Sequence, residues 1–178
     1  MSNEASVKRW SRIMSLLCKA AMFILPLFVA ISWVFLDDFG PALSGSTGVY
    51  VDVAHVSITW RLVGFAVSMI PCGLTMYGLW RLSAMFQECA EGRFFSLDAV
   101  RGFRGFAWMI LIAAALRPIV GAALSVVLTM GNPPGQRQLA IQFGSTELTA
   151  VFVGLLLVAI AHILEEGRKL SDDNAQIV

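Results

Sequence analysis

Apolar residues dominate four long stretches of the chain, and polar residues collect between them. The stretches cover residues 13–36, 62–80, 105–130 and 148–164. A helix needs about 20 mainly apolar residues to cross about 30 Å of hydrocarbon. The pattern therefore predicts an all-α membrane protein in which four transmembrane helices form one integral membrane domain over residues 1–178. Amphipathic rings that favour the membrane interface mark the helix ends, namely Trp10, Trp33, Trp60, Tyr77 and Trp80.

The first apolar stretch follows a basic start, so it also has the pattern of a secretory signal peptide. Its uncharged run, residues 20–36, has 17 residues. The apolar region of a signal peptide is usually shorter, about 7–15 residues. We therefore expect this stretch to be a membrane anchor.

Composition agrees with a membrane environment. Of the 178 residues, 57% are hydrophobic and only 14% are charged, whereas soluble domains contain about 25% charged residues. The formal net charge of +1 gives no reason to expect direct nucleic acid binding. The pattern favours contact with membrane lipid, and with a protein partner or a second copy of the chain.

The positions of lysine and arginine predict the orientation in the membrane. Ten of the thirteen lie before or near the start of the first stretch, between the second and third, or after the fourth: Lys8, Arg9, Arg12, Lys19, Arg81, Arg93, Arg101, Arg104, Arg168 and Lys169. Only Arg61 and Arg137 lie in the opposite loops. Short cytoplasmic loops carry an excess of basic residues. We therefore expect a multi-pass protein of the bacterial cytoplasmic (inner) membrane with both termini in the cytoplasm.

Both outer loops contain alternating apolar residues, a period that is typical of half-buried strands. The alternating positions are Val49, Val51 and Val53, then with a shift of phase Val56, Ile58 and Trp60, and in the second loop Leu139, Ile141 and Phe143. Two interpretations are open. The loops pair as a small β cap over the outer end of the helices, or residues 56–61 are the first turns of the second helix.

A short motif occurs twice, at a spacing of 75 residues. It reads Glu91-Gly92-Arg93-x-x-Ser96-x-Asp98 after the second stretch and Glu166-Gly167-Arg168-x-x-Ser171-x-Asp173 after the fourth. The repeat predicts two helical hairpins in the same orientation. We expect Gly92 and Gly167 to end helices with positive φ, and Ser96 and Ser171 to cap the helices that follow. A helix stop and start used twice is favoured here over a ligand site.

Two segments resemble recurring stretches of the domain-of-unknown-function 2975 family of small bacterial membrane proteins. Residues 91–101, EGRFFSLDAVR, match a G-x-x-F-[ST]-x-x-[NA] stretch before the third span, and residues 165–178, EEGRKLSDDNAQIV, match the family's ending. The resemblance implies a four-helix membrane protein without an established activity, often encoded beside small helix-turn-helix regulators. The long outer loops depart from the family pattern. Arg101 occupies a position at which a basic residue is frequent in the family but is not a fixed part of its pattern.

Arg117 is the one ionisable residue deep in a predicted span. It lies 12 residues after Gly105, about 18 Å from that end of the span at 1.5 Å per residue. Arginine at this depth costs about 2.5–3.5 kcal/mol on insertion scales and usually faces other helices or a wet cavity. We expect its guanidinium to point into the bundle or a protomer interface and to meet at least two oxygens. Candidate partners are carbonyls freed by Pro26 or Pro71, the hydroxyls of Ser68, Thr75 and Ser125, and an acid from another subunit.

The sequence contains no recognised catalytic or cofactor-binding pattern. H-E-x-x-H, G-x-S-x-G and the Walker glycine loop are missing from it. His55 and His162 are predicted on opposite sides of the membrane, so they cannot ligate one haem iron. We therefore expect neither an enzyme nor a bound metal or cofactor.

These patterns favour a protein that works by binding, either as an accessory subunit or as the membrane half of a regulatory pair. The candidate partner face is the connection between the second and third helices, with Phe86, Arg93, Phe94, Phe95 and Arg101. The alternative is a small carrier or receptor that holds an anionic lipid or small molecule through Arg117.

Overall fold

The computed structural model describes residues 2–38, 56–130, 132, 137–141 and 143–175. Within these residues the protein consists of four long helices and connecting segments without strands. The helices are α1 (Ser2–Val34), α2 (Ile58–Ala90), α3 (Leu97–Thr129) and α4 (Ser145–Ala175). The predicted all-α fold is confirmed.

All four helices are long and apolar enough to cross a membrane. A helix of 33 residues, such as α3, extends about 50 Å at 1.5 Å per residue, more than the about 30 Å of hydrocarbon. Much of their apolar surface faces outward, for example Phe23 at 78% and Ile163 at 70% exposed. Because soluble proteins rarely expose large apolar patches, this surface suits lipid. The chain is a multi-pass membrane protein.

Residue contacts group the chain into two compact units. The first contains Met1–Phe23, Leu74–Ala114 and Thr149–Val178. Its core lies between α3 and α4, where Ala107 and Ala161 are fully buried. A Cβ added at Gly154 of α4 would lie 2.9 Å from the Leu111 Cα of α3. Small residues thus bring these two helices into close contact, as is common in membrane proteins.

The second unit contains Ile24–Gly73 and Ala115–Leu148. Its buried cluster consists of Trp33 and Leu36 with Val56 and Leu128. The Trp33 indole packs directly over Gly64, and its N–H donates to Ser68 Oγ at 3.1 Å. Trp33 is therefore a core residue of this unit, and it lies in the last turn of α1, in agreement with the prediction that it marks a helix end.

The described part of the predicted β cap contains no strand. Ile58 and Trp60 lie in the first turn of α2, so the helical interpretation is confirmed from Ile58 onward, while Val56 and Ser57 precede the helix. Residues 49–55 lie outside the described residues. In the second loop, the Ala140 N–H donates to Ser125 Oγ at 3.0 Å and the Gln138 N–H to Thr129 Oγ1 at 3.2 Å. Alternate amides are thus bound by hydroxyls one turn apart on α3. The alternation in this loop therefore reflects backbone binding to one face of α3, and not pairing with another strand.

Candidate functional site

The turn between α2 and α3, residues 91–96, begins with a glycine-terminated helix end. Gly92 has φ +87°, a left-handed conformation that glycine adopts without steric cost. The Arg93 N–H donates to the Glu88 carbonyl at 3.0 Å and the Gly92 N–H to the Cys89 carbonyl at 3.1 Å. These two hydrogen bonds form a Schellman motif. The predicted role of Gly92 is confirmed.

Glu88 joins the end of α2 to the start of α3. Its carboxylate accepts hydrogen bonds from Arg93 Nε and Nη2, both at 2.8 Å, and from Ser96 Oγ at 2.9 Å. Ser96 Oγ also accepts the Ala99 N–H at 3.1 Å, so Ser96 caps α3 as predicted. The hydrogen bonds to Glu88 raise the pKa of Arg93, with a further contribution from the nearby Glu91 carboxylate.

Sequence reasoning missed Glu88, although a signal for it exists. A Schellman motif places the third-last helical residue beside the residue after the glycine. A Glu at the third-last helical position and an Arg directly after the glycine are therefore neighbours in space. In this chain those positions are Glu88 and Arg93.

The second copy of the motif does not end a helix, and this prediction was wrong. α4 continues through Gly167 and position 171 to Ala175, and in the described chain only Gly92 is a glycine with positive φ. The position that corresponds to Glu88 is Ile163, 75 residues later, which cannot bind an arginine. The second copy thus lacks the carboxylate that holds the first turn closed.

The residues of the predicted partner face have different surroundings. Phe94 and Phe95 project from the turn and are 40% and 61% exposed, whereas Phe86 is partly buried on α2. Arg93 is bound to Glu88 and Glu91 and so stabilises the turn itself. Arg101 lies farther along, on the first turns of α3, where it lines a cavity.

That cavity, here called the arginine cavity, lies between the start of α3 and the end of α4. It has a volume of about 270 Å³ and is lined by Leu97, Val100, Arg101, Arg104, Glu165 and Arg168. Arg104 Nη1 donates to both Glu165 oxygens, at 3.0 and 2.8 Å. This ion pair links α3 to α4, and its two residues are 61 positions apart in sequence.

A smaller cavity of about 160 Å³ lies between α1 and α2 and includes the basic residues Arg12 and Lys19. Among the described side chains, no group of three or more His, Cys, Asp or Glu residues is placed to hold a metal ion. Both cavities include basic side chains, beside Glu165 in the arginine cavity and beside Ser15 and Gln87 in the smaller one.

Arg117 does not point into the helices of its own chain. Its side chain is exposed on α3, and within the described residues it makes no hydrogen bond or ion pair. None of the candidate carbonyls and hydroxyls among the described residues binds its guanidinium, and the expected contact at a protomer interface stays a prediction. Ser125 and Ser68 instead bond to backbone carbonyls of their own helices, Ala122 and Gly64 respectively. As acceptors, Ser68 Oγ already binds the Trp33 indole N–H and Ser125 Oγ the Ala140 N–H.

Comparison with known proteins gave one family. A family model described as "Protein of unknown function (DUF2975)" matches residues 42–178. No curated protein and no solved structure matches the chain. The matched region covers most of the sequence and includes α2, the turn, α3 and α4. The chain therefore belongs to the DUF2975 family of proteins of unknown function.

Proposed function

We propose that this protein acts by binding another protein chain within the bacterial cytoplasmic membrane, as an accessory subunit or as the membrane half of a regulatory pair. The observation that carries the proposal is the exposed, mid-helix Arg117. Its guanidinium finds no acceptor among the described residues of its own chain. A partner would supply that acceptor.

The energetics of a lipid-facing arginine support this proposal. Such a residue costs about 2.5–3.5 kcal/mol at the centre of a membrane helix, and ionisable residues at this depth usually pair with one another or with carbonyls. Arg117 is 12 residues before the end of α3 at Thr129, about 18 Å along the helix axis. A helix of another chain can place a carboxylate or a carbonyl at this depth.

The surface around Arg117 also suits a helix. Gly121 lies one turn after Arg117 and therefore on the same face of α3. A Cβ added at Gly121 would meet nothing within 4 Å. Glycine at a helix surface lets a partner backbone approach closely. The face with Arg117 and Gly121 thus combines a charge that needs an acceptor with room for a close contact.

The alternative, a carrier or receptor for an anionic lipid or small molecule, rests on the same arginine. A lipid phosphate lies at the membrane surface, so Arg117 would have to extend along α3 toward the interface to reach it. A partner helix needs no such extension. Depth therefore favours a protein partner over a lipid at this residue.

Variants of Arg117 and Gly121 test the proposal. The full chain is crosslinked in native membranes, purified and analysed for co-purifying proteins by mass spectrometry. We expect Arg117→Leu and Gly121→Leu to lose a partner that Arg117→Lys retains at least in part. Gly73→Leu is the matched control, because Gly73 on α2 also has open space around it.

Three results separate the interpretations of this experiment. If the lost species is a crosslinked dimer of this chain, the partner is a second copy. If Arg117→Leu changes the retained lipid and no protein, the alternative is correct. If all variants retain the same proteins and lipids, Arg117 has no binding role and the proposal fails.

The orientation is also a proposal, supported by the distribution of basic residues. Reporter domains fused after Asp98 and at Val178 should indicate the cytoplasm, and a reporter near Gly135 the outside. Because positive charges favour the cytoplasmic side, we expect this pattern. A cytoplasmic signal near Gly135 would contradict it.

A further inference from the structure

We infer that the arginine cavity binds a phosphate group, at a site separate from Arg117. Three arginines and one glutamate line it; because Arg168 also interacts with a further group, the donors considered for a ligand are those of Arg101 and Arg104. Its two apolar lining residues are Leu97 and Val100. A small cavity with an excess of guanidinium groups and an apolar wall is suited to an anion that carries an apolar portion.

The hydrogen bonds within the cavity leave donors available. Glu165 engages only Nη1 of Arg104, with both of its oxygens. Arg101 is exposed, and in the described chain its guanidinium has no hydrogen bond or ion pair. A guanidinium presents five N–H donors in a planar fork that matches phosphate oxygens. Arg104 is therefore held in position by Glu165, while Arg101 remains able to bind a ligand.

The place of the cavity along the helices favours phosphate over other anions. Arg104 is the last charged residue before the uncharged run 105–116 of α3, and Glu165 is the first Lys, Arg, Asp or Glu after residues 148–164 of α4. Both helices leave the apolar section of the membrane at this level. Phospholipid head groups lie at that boundary, and basic pockets between membrane helices bind them.

The volume sets the size of the ligand. Sites for drug-sized ligands begin at about 300 Å³, and the cavity has about 270 Å³. A single phosphate with its immediate substituents suits this volume, whereas a nucleotide does not. The phosphate group could belong to an anionic phospholipid or to a soluble phosphate compound, and the two sources require separate probes.

The test uses the purified full chain in a neutral detergent. Thermal unfolding is followed during titration with short-chain phosphatidylglycerol, with short-chain phosphatidylcholine, and with sodium phosphate against sodium chloride at equal ionic strength. Binding to the folded protein raises its Tm, and the increase grows with the logarithm of the ratio of ligand concentration to Kd once the site is nearly saturated. We expect phosphatidylglycerol, inorganic phosphate or both to raise the Tm more than their neutral or chloride controls.

Variants of Arg101 locate the binding. We expect Arg101→Gln to lower the affinity for the probe that binds about tenfold, which corresponds to the loss of one charge-assisted hydrogen bond. Arg101→Lys should lower this affinity less. Arg9→Gln removes an exposed charge of α1 outside the cavity and should have no effect. A response to phosphatidylglycerol alone identifies a lipid head group, and a response to inorganic phosphate shows that a soluble phosphate suffices.

Two outcomes overturn the inference: no response to either probe, or an equal loss in the Arg101 and Arg9 variants. Because Arg117 is intact in every protein of this series, failure here leaves the proposed partner contact unaffected.

Discussion

Arg93 and Glu88 are joined by two hydrogen bonds of 2.8 Å across the turn between α2 and α3. The same carboxylate accepts from Ser96, the residue that caps α3. One carboxylate therefore connects the glycine-terminated end of α2 to the residue that caps α3. The exposed Phe94 and Phe95 lie between Arg93 and Ser96, the two residues that Glu88 binds.

Replacement of Glu88 by Gln should loosen this turn. The amide cannot accept the paired hydrogen bonds of Arg93 together with that of Ser96, since only one of its polar atoms is an acceptor. Hydrogen exchange should show faster exchange of the backbone amides of residues 93–99 in the variant. Glu91→Gln is the control, because Glu91 binds Arg93 but not Ser96. Equal exchange in wild type and Glu88→Gln would show that the backbone motif alone holds the turn.

The two glycines of the repeated motif should respond to alanine in opposite directions. Gly92→Ala places a Cβ on a residue with φ +87°, which should destabilise the protein by about 1–2 kcal/mol. Gly167→Ala lies in the interior of α4 with nothing within 4 Å of the new Cβ. It should stabilise by about 0.5–1 kcal/mol. Thermal unfolding in detergent measures both, and a destabilising Gly167→Ala would contradict the continuous α4.

The helices could be predicted from sequence for two reasons. Each apolar run is close to the length that crosses the membrane, and a helix satisfies its own backbone hydrogen bonds in lipid. Their ends were less predictable. Gly92 and Gly167 occur in nearly the same local sequence, yet only the first is preceded by a glutamate at the position of Glu88. The eight-residue motif does not include Glu88, whose carboxylate binds Arg93 and Ser96 in the first copy.

The features that sequence reasoning missed depend on contacts between distant residues. Arg104 and Glu165 are 61 residues apart, and no local pattern indicates that they form an ion pair. The alternating residues near Ala140 have the period of a strand, but their amides bind to Ser125 and Thr129 on α3. A period of two residues shows that a segment has one apolar and one polar side. It does not show whether its backbone binds a neighbouring strand or the side chains of a helix.

Loss of the Ser125 hydroxyl should release the loop that crosses α3. Ser125→Ala removes the acceptor of the Ala140 N–H, which should cost about 0.5–1.5 kcal/mol of stability. Exchange of the Ala140 amide should be faster in the variant. Ser32→Ala provides the control, since the Ser32 hydroxyl donates to the Phe28 carbonyl of its own helix. An unchanged Ala140 amide would show that other contacts hold the loop.

Close packing of α1 on α2 should depend on the absence of a side chain at Gly64. A Cβ at this position would lie 2.6 Å from Trp33 Cζ2, so Gly64→Ala forces the indole to move and weakens its hydrogen bond to Ser68. Overpacking of this kind costs about 1–3 kcal/mol. Gly73→Ala on the same helix adds a methyl group in open space and should be neutral or stabilising. Trp33→Leu combined with Gly64→Ala should cost less than the sum of the two single changes, because the smaller side chain removes the clash. Additive costs would show that the indole and Gly64 are not in contact, and the core of the second unit would then have to be assigned differently.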